Sequence, residues 1–246
     1  MTRMLIIKTG SAPGEIQRRH GDFHAWFIDR LGPDRFDFQV ANVQDGDALP
    51  SSDEGTSNER VDAVLVTGSP AMVSHGHGWS EATADWLRAF HATGRPMLGV
   101  CYGHQLIAHA LGGRVGANPA GRQMGTARVE LDAPEDPLLG DFSPVSDFQV
   151  THVESVLEAP SGARVIGRCA ADPNHALHFG ARSWGVQFHP EFDEEIMACY
   201  IRCRSSVLAG EGIDPERLLE RMSAAPAGAA LLRRFADIAA TEAEPA

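Results

Sequence analysis

Lysine is almost missing from this chain: Lys8 stands alone among 21 basic residues, the others all arginine, in 246 residues that carry 33 acidic side chains. The net charge of −12 repels phosphate backbones and anionic lipid, so neither nucleic acid nor a membrane is an expected partner. With no second lysine there is no Gly-x-x-x-x-Gly-Lys-Ser/Thr phosphate loop, and no Ser-Gly-Gly-x-Asp-Ser pyrophosphatase loop occurs either. The chain therefore has no visible grip on ATP and cannot be a complete synthetase; no cofactor is expected. Cysteine is scarce as well, with Cys101, Cys169, Cys199 and Cys203 unevenly spaced, and no signal-like apolar stretch opens the sequence. Both absences point to a reducing, cytoplasmic compartment. No third ligand neighbours Cys199 and Cys203, so they are expected to be small apolar side chains packed on a sheet, and His75-Gly76-His77 to be a solvated loop; no metal site is expected.

What is present is concentrated around Cys101. The apolar run Pro96-Met97-Leu98-Gly99-Val100 stops on this cysteine, and a helix-like pattern follows over residues 103–111. A tight strand-to-helix turn strains its central residue and needs glycine neighbours, which Gly99 and Gly103 supply. The sulfur then lies at a helix N-terminus, whose partial positive charge favours its nucleophilic form.

A nucleophile needs a base, and residues 184–188 read as a strand running into His189-Pro190-Glu191-Phe192. In extended backbone, residues two apart face one side, so His189 and Glu191 are expected to project together. His189 can take the thiol proton while Glu191 fixes its tautomer.

The blocks Gly-Val-Cys-Tyr-Gly-His-Gln and Val-Gln-Phe-His-Pro-Glu-Phe, in this order, resemble the class I (triad) glutamine amidotransferases, in particular stand-alone domains similar to the amidotransferase part of GMP synthase. The resemblance spans residues 4–206. It implies that Cys101 attacks the side-chain carboxamide of glutamine to give a γ-glutamyl thioester and ammonia, with His189 and Glu191 completing a Cys-His-Glu triad. It also implies that Gly68, in Val66-Thr67-Gly68-Ser69-Pro70, forms an oxyanion hole with the N–H of Tyr102, with Ser69 in the same loop. Gln105 would hold the amino-acid end of the substrate, and His152, in Thr151-His152-Val153-Glu154, would flank its pocket where relatives carry Ser-His-x-Asp. Ammonia would pass to a separate synthetase holding an activated acceptor.

Three departures keep other readings open. The oxyanion loop has Gly68-Ser69-Pro70 where synthases of this type show Gly-Gly-Pro; Gln123 stands where many relatives place a glutamate before a pocket glycine; and Glu154 replaces an aspartate. The alternative substrate is a γ-glutamyl peptide or conjugate. A non-catalytic regulatory protein on the same scaffold is a third reading, against which the register of His189 and Glu191 counts.

The rest of the pattern is α/β. Buried strands are expected at residues 4–8, 36–43, 63–67 and 96–100, and amphipathic helices around Phe23 to Leu31 and over 79–93. This alternation implies an open, mostly parallel, flavodoxin-like sheet flanked by helices, with sites at the carboxyl ends of its strands. Residues 113–188 read as shorter, β-rich segments forming an antiparallel extension. The polar stretch 44–60 reads as an exposed connection, and residues 241–246 as a fraying end. One domain over 1–208 and a helical appendage over 209–246 are expected.

Overall fold

The computed structural model describes residues 1–51 and 60–241; residues 52–59 of the expected connection at 44–60 and nearly all of the terminal segment lie outside these residues. The chain runs β1 (Arg3–Lys8), α1 (Gly14–His20), α2 (Phe23–Leu31), β2 (Asp37–Asn42), β3 (Ala63–Val66), α3 (Gly78–Ala92), β4 (Met97–Val100) and α4 (Tyr102–Ala110). It continues through β5 (Arg114–Ala117), β6 (Gln123–Leu131), β7 (Val145–His152), β8 (Glu154–Glu158), β9 (Arg164–Cys169), β10 (Asp172–Gly180) and β11 (Ser183–Val186). Four helices follow: α5 (Glu194–Cys203), α6 (Ser205–Gly210), α7 (Pro215–Glu220) and α8 (Pro226–Ala240). No helix among the described residues is long and apolar enough to cross a membrane.

One sheet of nine strands has the order β2-β1-β3-β4-β11-β10-β9-β6-β7, and β5 pairs with β8 in a separate ribbon. Its first half, β2 to β11, is parallel, and the extension from β10 to β7 is antiparallel. Strand alternation splits the core into two faces. In β1, Met4 and Ile6 pack with Phe27 and Leu31 of α2, whereas Leu5 and Ile7 pack with Leu87 and Phe90 of α3 and Leu106 of α4. The first face is closed by α8, whose Leu231, Leu232 and Phe235 are fully buried. Burying side chains of this size contributes roughly 1.5–3 kcal/mol each.

Helix boundaries follow local chemistry. Asp22 caps α2 by accepting the Phe23 N–H and also holds Lys8 in an ion pair at 2.8 Å, which gives the sole lysine a structural role. Gly32, at φ 98°, ends the same helix. Helix α1, not evident from the pattern, buries a single residue, Ile16, and so leaves little periodicity to read. Cys199 and Cys203 do share α5, but Cys203 is exposed and contacts Glu15, while Cys199 meets His20. Both therefore face α1 rather than the sheet, because α5 packs helix against helix.

Candidate active site

Parallel register brings the carboxyl ends of β3, β4 and β11 together: Val66 pairs with Gly99, and Val186 with Val100. Cys101 follows β4 directly and its N–H donates to Val186 O at 2.8 Å. Its backbone sits at φ 52°, a left-handed region costly for a residue with a Cβ. The turn is tolerated because its neighbours lack side chains: a Cβ on Gly103 would lie 2.4 Å from Val66 O, and one on Gly99 would lie 2.5 Å from Gly103. Cys101 thus caps α4 with its sulfur beside the helix N-terminus, and the thiol donates to Thr151 O at 3.8 Å.

His189 and Glu191 lie past the end of β11, in a turn rather than in the strand the sequence suggests; only His189 makes a bridge, with Gln149. They meet nonetheless. The His189 Nδ1–H donates to Glu191 Oε1 at 2.8 Å, the ring stacks on Phe192 at 4.2 Å, and the main-chain N–H donates to Gln149 O. Nε2 is buried without a hydrogen-bond partner. Burial opposes charge on this ring, but the Glu191 carboxylate and Cys101 outweigh it and push its pKa up to about 10. A ring whose charged form is favoured in this way readily takes a thiol proton.

The glycine after β3 completes the arrangement. Thr67 O accepts from the Thr9 hydroxyl and the Gly103 N–H, and Gly68 O accepts from the hydroxyls of Thr9 and Thr67. In a trans peptide the N–H points opposite the carbonyl, so the Gly68 N–H is aimed away from these partners. A Cβ on Gly68 would stand 3.0 Å from His189 Cε1 and 3.6 Å from Cys101 Cβ. Among the described residues neither the Gly68 nor the Tyr102 N–H has a protein acceptor. Two fixed donors beside a nucleophile can receive a developing oxyanion. The Ser69 hydroxyl is committed elsewhere, donating to Thr9 O at 2.7 Å, so this residue lines the site without offering its side chain.

Two lobes of one cleft meet at Cys101, sharing Ser69, Pro70, Thr151 and Arg204. The larger, about 100 Å³, is lined by Tyr102, Gln105, Arg122, His152 and Glu154; the smaller, about 40 Å³, by Phe23, His189 and Tyr200. Gln105 Nε2 donates to Glu154 O and Gln187 Oε1. His152 donates from Nδ1 to Glu154 O, leaving Nε2 unpartnered, and burial drops its pKa to about 4, so it is a neutral donor or acceptor at neutral pH. The Glu154 carboxylate is braced by the Ser74 hydroxyl and N–H. Arg122 is held by Glu211 at 2.7 Å.

Of the residues singled out from sequence, Cys101, His189, Glu191, Gly68, Tyr102, Gln105 and His152 are brought around this cleft. The neighbouring His104 lies outside it, its ring fully buried under Gly185 and donating from Nε2 to Asn174 O. Gln123 is turned toward Ala120 O and Gly121 O, outside both lobes. Arg122, Tyr200 and Arg204 were not anticipated; Tyr200 follows Phe192 and Ile196 at helical spacing, which reads as core. His152, Asp172 and His175 place potential metal-ligand atoms within 4.8 Å of one another, but Asp172 and His175 already pair at 3.2 Å and His152 Nδ1 is committed to Glu154 O.

The chain is similar to known proteins over most of its length. Residues 23–199 match the family model for glutamine amidotransferase class-I. GMP synthase [glutamine-hydrolyzing] of Aeropyrum pernix is 36% identical over 146 residues, 59% of this chain and 25% of that protein. A subunit of the Halobacterium salinarum GMP synthase [glutamine-hydrolyzing] is 30% identical over 172 residues, 68% of this chain and 88% of that one. The chain thus spans about a quarter of the length of the undivided GMP synthase it matches and most of the separate subunit. In fold it is similar to a glutamine amidotransferase from Thermotoga maritima, with a TM-score of 0.77 at 21% identity over 98% of this chain and 99% of that one. A glutamine amidotransferase from Methylobacillus flagellatus gives a TM-score of 0.72 at 21% identity, over 98% of this chain and 93% of that one. With the motifs, the sheet order and the family match in agreement, the chain belongs to the class I glutamine amidotransferases.

Proposed function

We propose that the protein hydrolyses the side-chain amide of glutamine through a γ-glutamyl thioester on Cys101. The observation that carries this reading is the His189 ring, fixed by Glu191 through Nδ1 while its unpartnered Nε2 belongs to a ring whose charge Cys101 favours. Cys101 attacks the carboxamide carbon; the N–H groups of Gly68 and Tyr102 receive the oxyanion; His189 passes its proton to the departing nitrogen. His189 then takes a proton from water as it opens the thioester, so that glutamate leaves and the thiol is restored. Gln105, His152 and Glu154 line the lobe suited to the substrate's amino-acid end.

Ammonia made here has no acceptor site of this chain's own, since no ATP-gripping loop is present. A separate synthetase is the corresponding partner, which the likeness to one subunit of a GMP synthase supports. The test is ammonia and glutamate release from glutamine, together with labelling of Cys101 by an electrophilic glutamine analogue. Turnover that survives in Cys101→Ala would disprove the assignment. A second reading, hydrolysis of γ-glutamyl conjugates, is favoured by one observation, the extra lobe beside His189.

A further inference from the structure

Resting on the thiol mechanism above, we infer that the smaller lobe is a leaving-group subsite for an amine bearing a carboxylate, so that γ-glutamyl amino acids are substrates of this same site.

The acyl carbon must sit at Cys101, where the lobes meet. The nitrogen that departs must face the group that protonates it, and His189 lines only the smaller lobe. The glutamyl arm therefore occupies the larger lobe, with Glu154 and Gln105, and whatever is attached to the nitrogen enters the smaller one. Ammonia would need nothing further there, yet the lobe is furnished with polar groups that have no partner. Tyr200 is 3% exposed and its hydroxyl has no hydrogen bond. The Nε of Arg204 is buried and likewise unpartnered, and no carboxylate among the described residues lies within ion-pair distance of its guanidinium. Buried polar atoms are overwhelmingly satisfied in folded proteins, and these two line one cavity, Tyr200 in the smaller lobe alone and Arg204 where the two lobes meet, so a group entering there finds two donors waiting.

The missing partner has to be an acceptor for a guanidinium and a phenol, and opposite a guanidinium that no carboxylate of the described residues neutralises, an anion is the fitting acceptor. A carboxylate answers both donors, and charge-assisted bonds of this kind are the strong ones. At about 40 Å³ the lobe favours a small amino acid such as glycine. The reaction balances with water alone: the Sγ–C bond forms as the amide C–N bond breaks, His189 gives its proton to the amine, which leaves as the free amino acid, and water cleaves the thioester to glutamate and thiol.

The experiment compares kcat/KM for γ-glutamylglycine with that for γ-glutamyl ethylamide, which has a similar size and no carboxylate, with glutamine assayed alongside. The native protein should prefer γ-glutamylglycine by about tenfold or more, as expected for a charge-assisted contact. Arg204→Met should bring the ratio within about twofold of unity, and Tyr200→Phe should lower it partway. Should Arg204 serve the glutamyl α-carboxylate instead, Arg204→Met would weaken both substrates equally and leave the ratio unchanged, which overturns the subsite. A ratio near unity in the native protein overturns it too. Binding of the two compounds to Cys101→Ala by calorimetry needs no change at Arg204 and should show the same preference; equal affinities sink the proposal. If glutamine is hydrolysed and the preference is absent, only the subsite fails. If no γ-glutamyl compound is cleaved and Cys101 resists labelling, the thiol mechanism fails and the subsite with it.

Discussion

Two buried histidines in this fold each meet a carboxylate and a sulfur. His189 has Glu191 at 2.8 Å and Cys101 beside it; His175 has Asp172 at 3.2 Å and Cys169 at 3.7 Å. Electrostatically they are twins. Burial opposes charge on both rings, and in both the carboxylate and the sulfur outweigh it, pushing His175 up to about 9 and His189 to about 10. His175 even draws the Cys169 thiol below its ordinary range, against the burial that opposes it. What differs is geometry. His175 uses one nitrogen, Nδ1, for both partners, so the ring cannot carry a proton from sulfur on one side while a carboxylate steadies the other. His189 gives Nδ1 to Glu191 alone, so that its Nε2, unpartnered as it also is on His175, is the nitrogen left for the sulfur. Cys169 sits in strand β9 with no positive φ and lines neither lobe, whereas Cys101 is held at φ 52° at the junction of both. On the proposed mechanism, the same residue types make a reactive pair in one place and a structural one in the other.

The sharpest way to break this comparison is to exchange the losses. Cys101→Ala should lower glutamine hydrolysis by at least about a thousandfold, in line with nucleophile removal elsewhere. Cys169→Ala should leave ammonia release within about twofold of native. If Cys169→Ala is the silent enzyme, the roles of the two cysteines are reversed.

The carboxylates should separate next. Glu191→Gln leaves His189 without its tautomer anchor and should cut kcat by about a hundredfold or more while the protein stays folded. Asp172→Asn breaks a fully buried pair and should cost roughly 3–5 kcal/mol of stability in urea titration, with kcat at a permissive temperature within about threefold. Comparable kcat losses for the two would show that both pairs serve the chemistry.

A smaller effect is expected from adding one methyl group beside each histidine's surroundings. In Gly68→Ala the new Cβ lies 3.0 Å from His189 Cε1, so the ring must shift; kcat should fall about tenfold with stability changed by no more than about 1 kcal/mol. In Gly167→Ala it lies 3.0 Å from Ala176 Cβ and 3.1 Å from Leu131, a core site, and should cost about 1–3 kcal/mol with kcat nearly unchanged.

How legible each pair is in the sequence follows from how local its determinants are. The elbow at Cys101 is set by glycines two residues to either side and by an apolar run that ends there, all within one stretch of chain. The contact of His189 with Glu191 is also readable, though for a reason the backbone does not use: the residues lie in a turn after β11, and the turn, not strand alternation, brings them together. Strands β5 and β8 are short, and β5 carries Gly116, so neither shows a clear alternating pattern. Tyr200 and Arg204 reach the cleft only because α5 folds back over it, which nothing near residue 200 encodes. That Cys169 meets His175 much as Cys101 meets His189 needs the register of β9 against β10.

The least of the expected effects is shared by both pairs, and it tests whether they are electrostatic equals. A histidine whose folded pKa is raised binds more protons folded than unfolded, so its stabilisation is complete below about pH 6.5, the ordinary value. It is lost as pH rises through the folded value, about 9 for His175 and about 10 for His189. His104 and His152 do the opposite. Burial lowers both to about 4, so their contribution is present above pH 6.5 and disappears as pH falls toward 4. Stability should therefore peak near pH 6.5 and decline on both sides, by something on the order of 1 kcal/mol or more on the alkaline side. Asp172→Asn should flatten the alkaline decline, since His175 then has no carboxylate to raise it, and Glu191→Gln should flatten it in the same sense through His189. Urea titrations at pH 6.5 and pH 9 read both. Equal flattening with unequal kcat would show that charge stabilises the two pairs alike while geometry alone makes one of them work; an alkaline slope untouched by either change would mean that the rings are not charged in the folded protein.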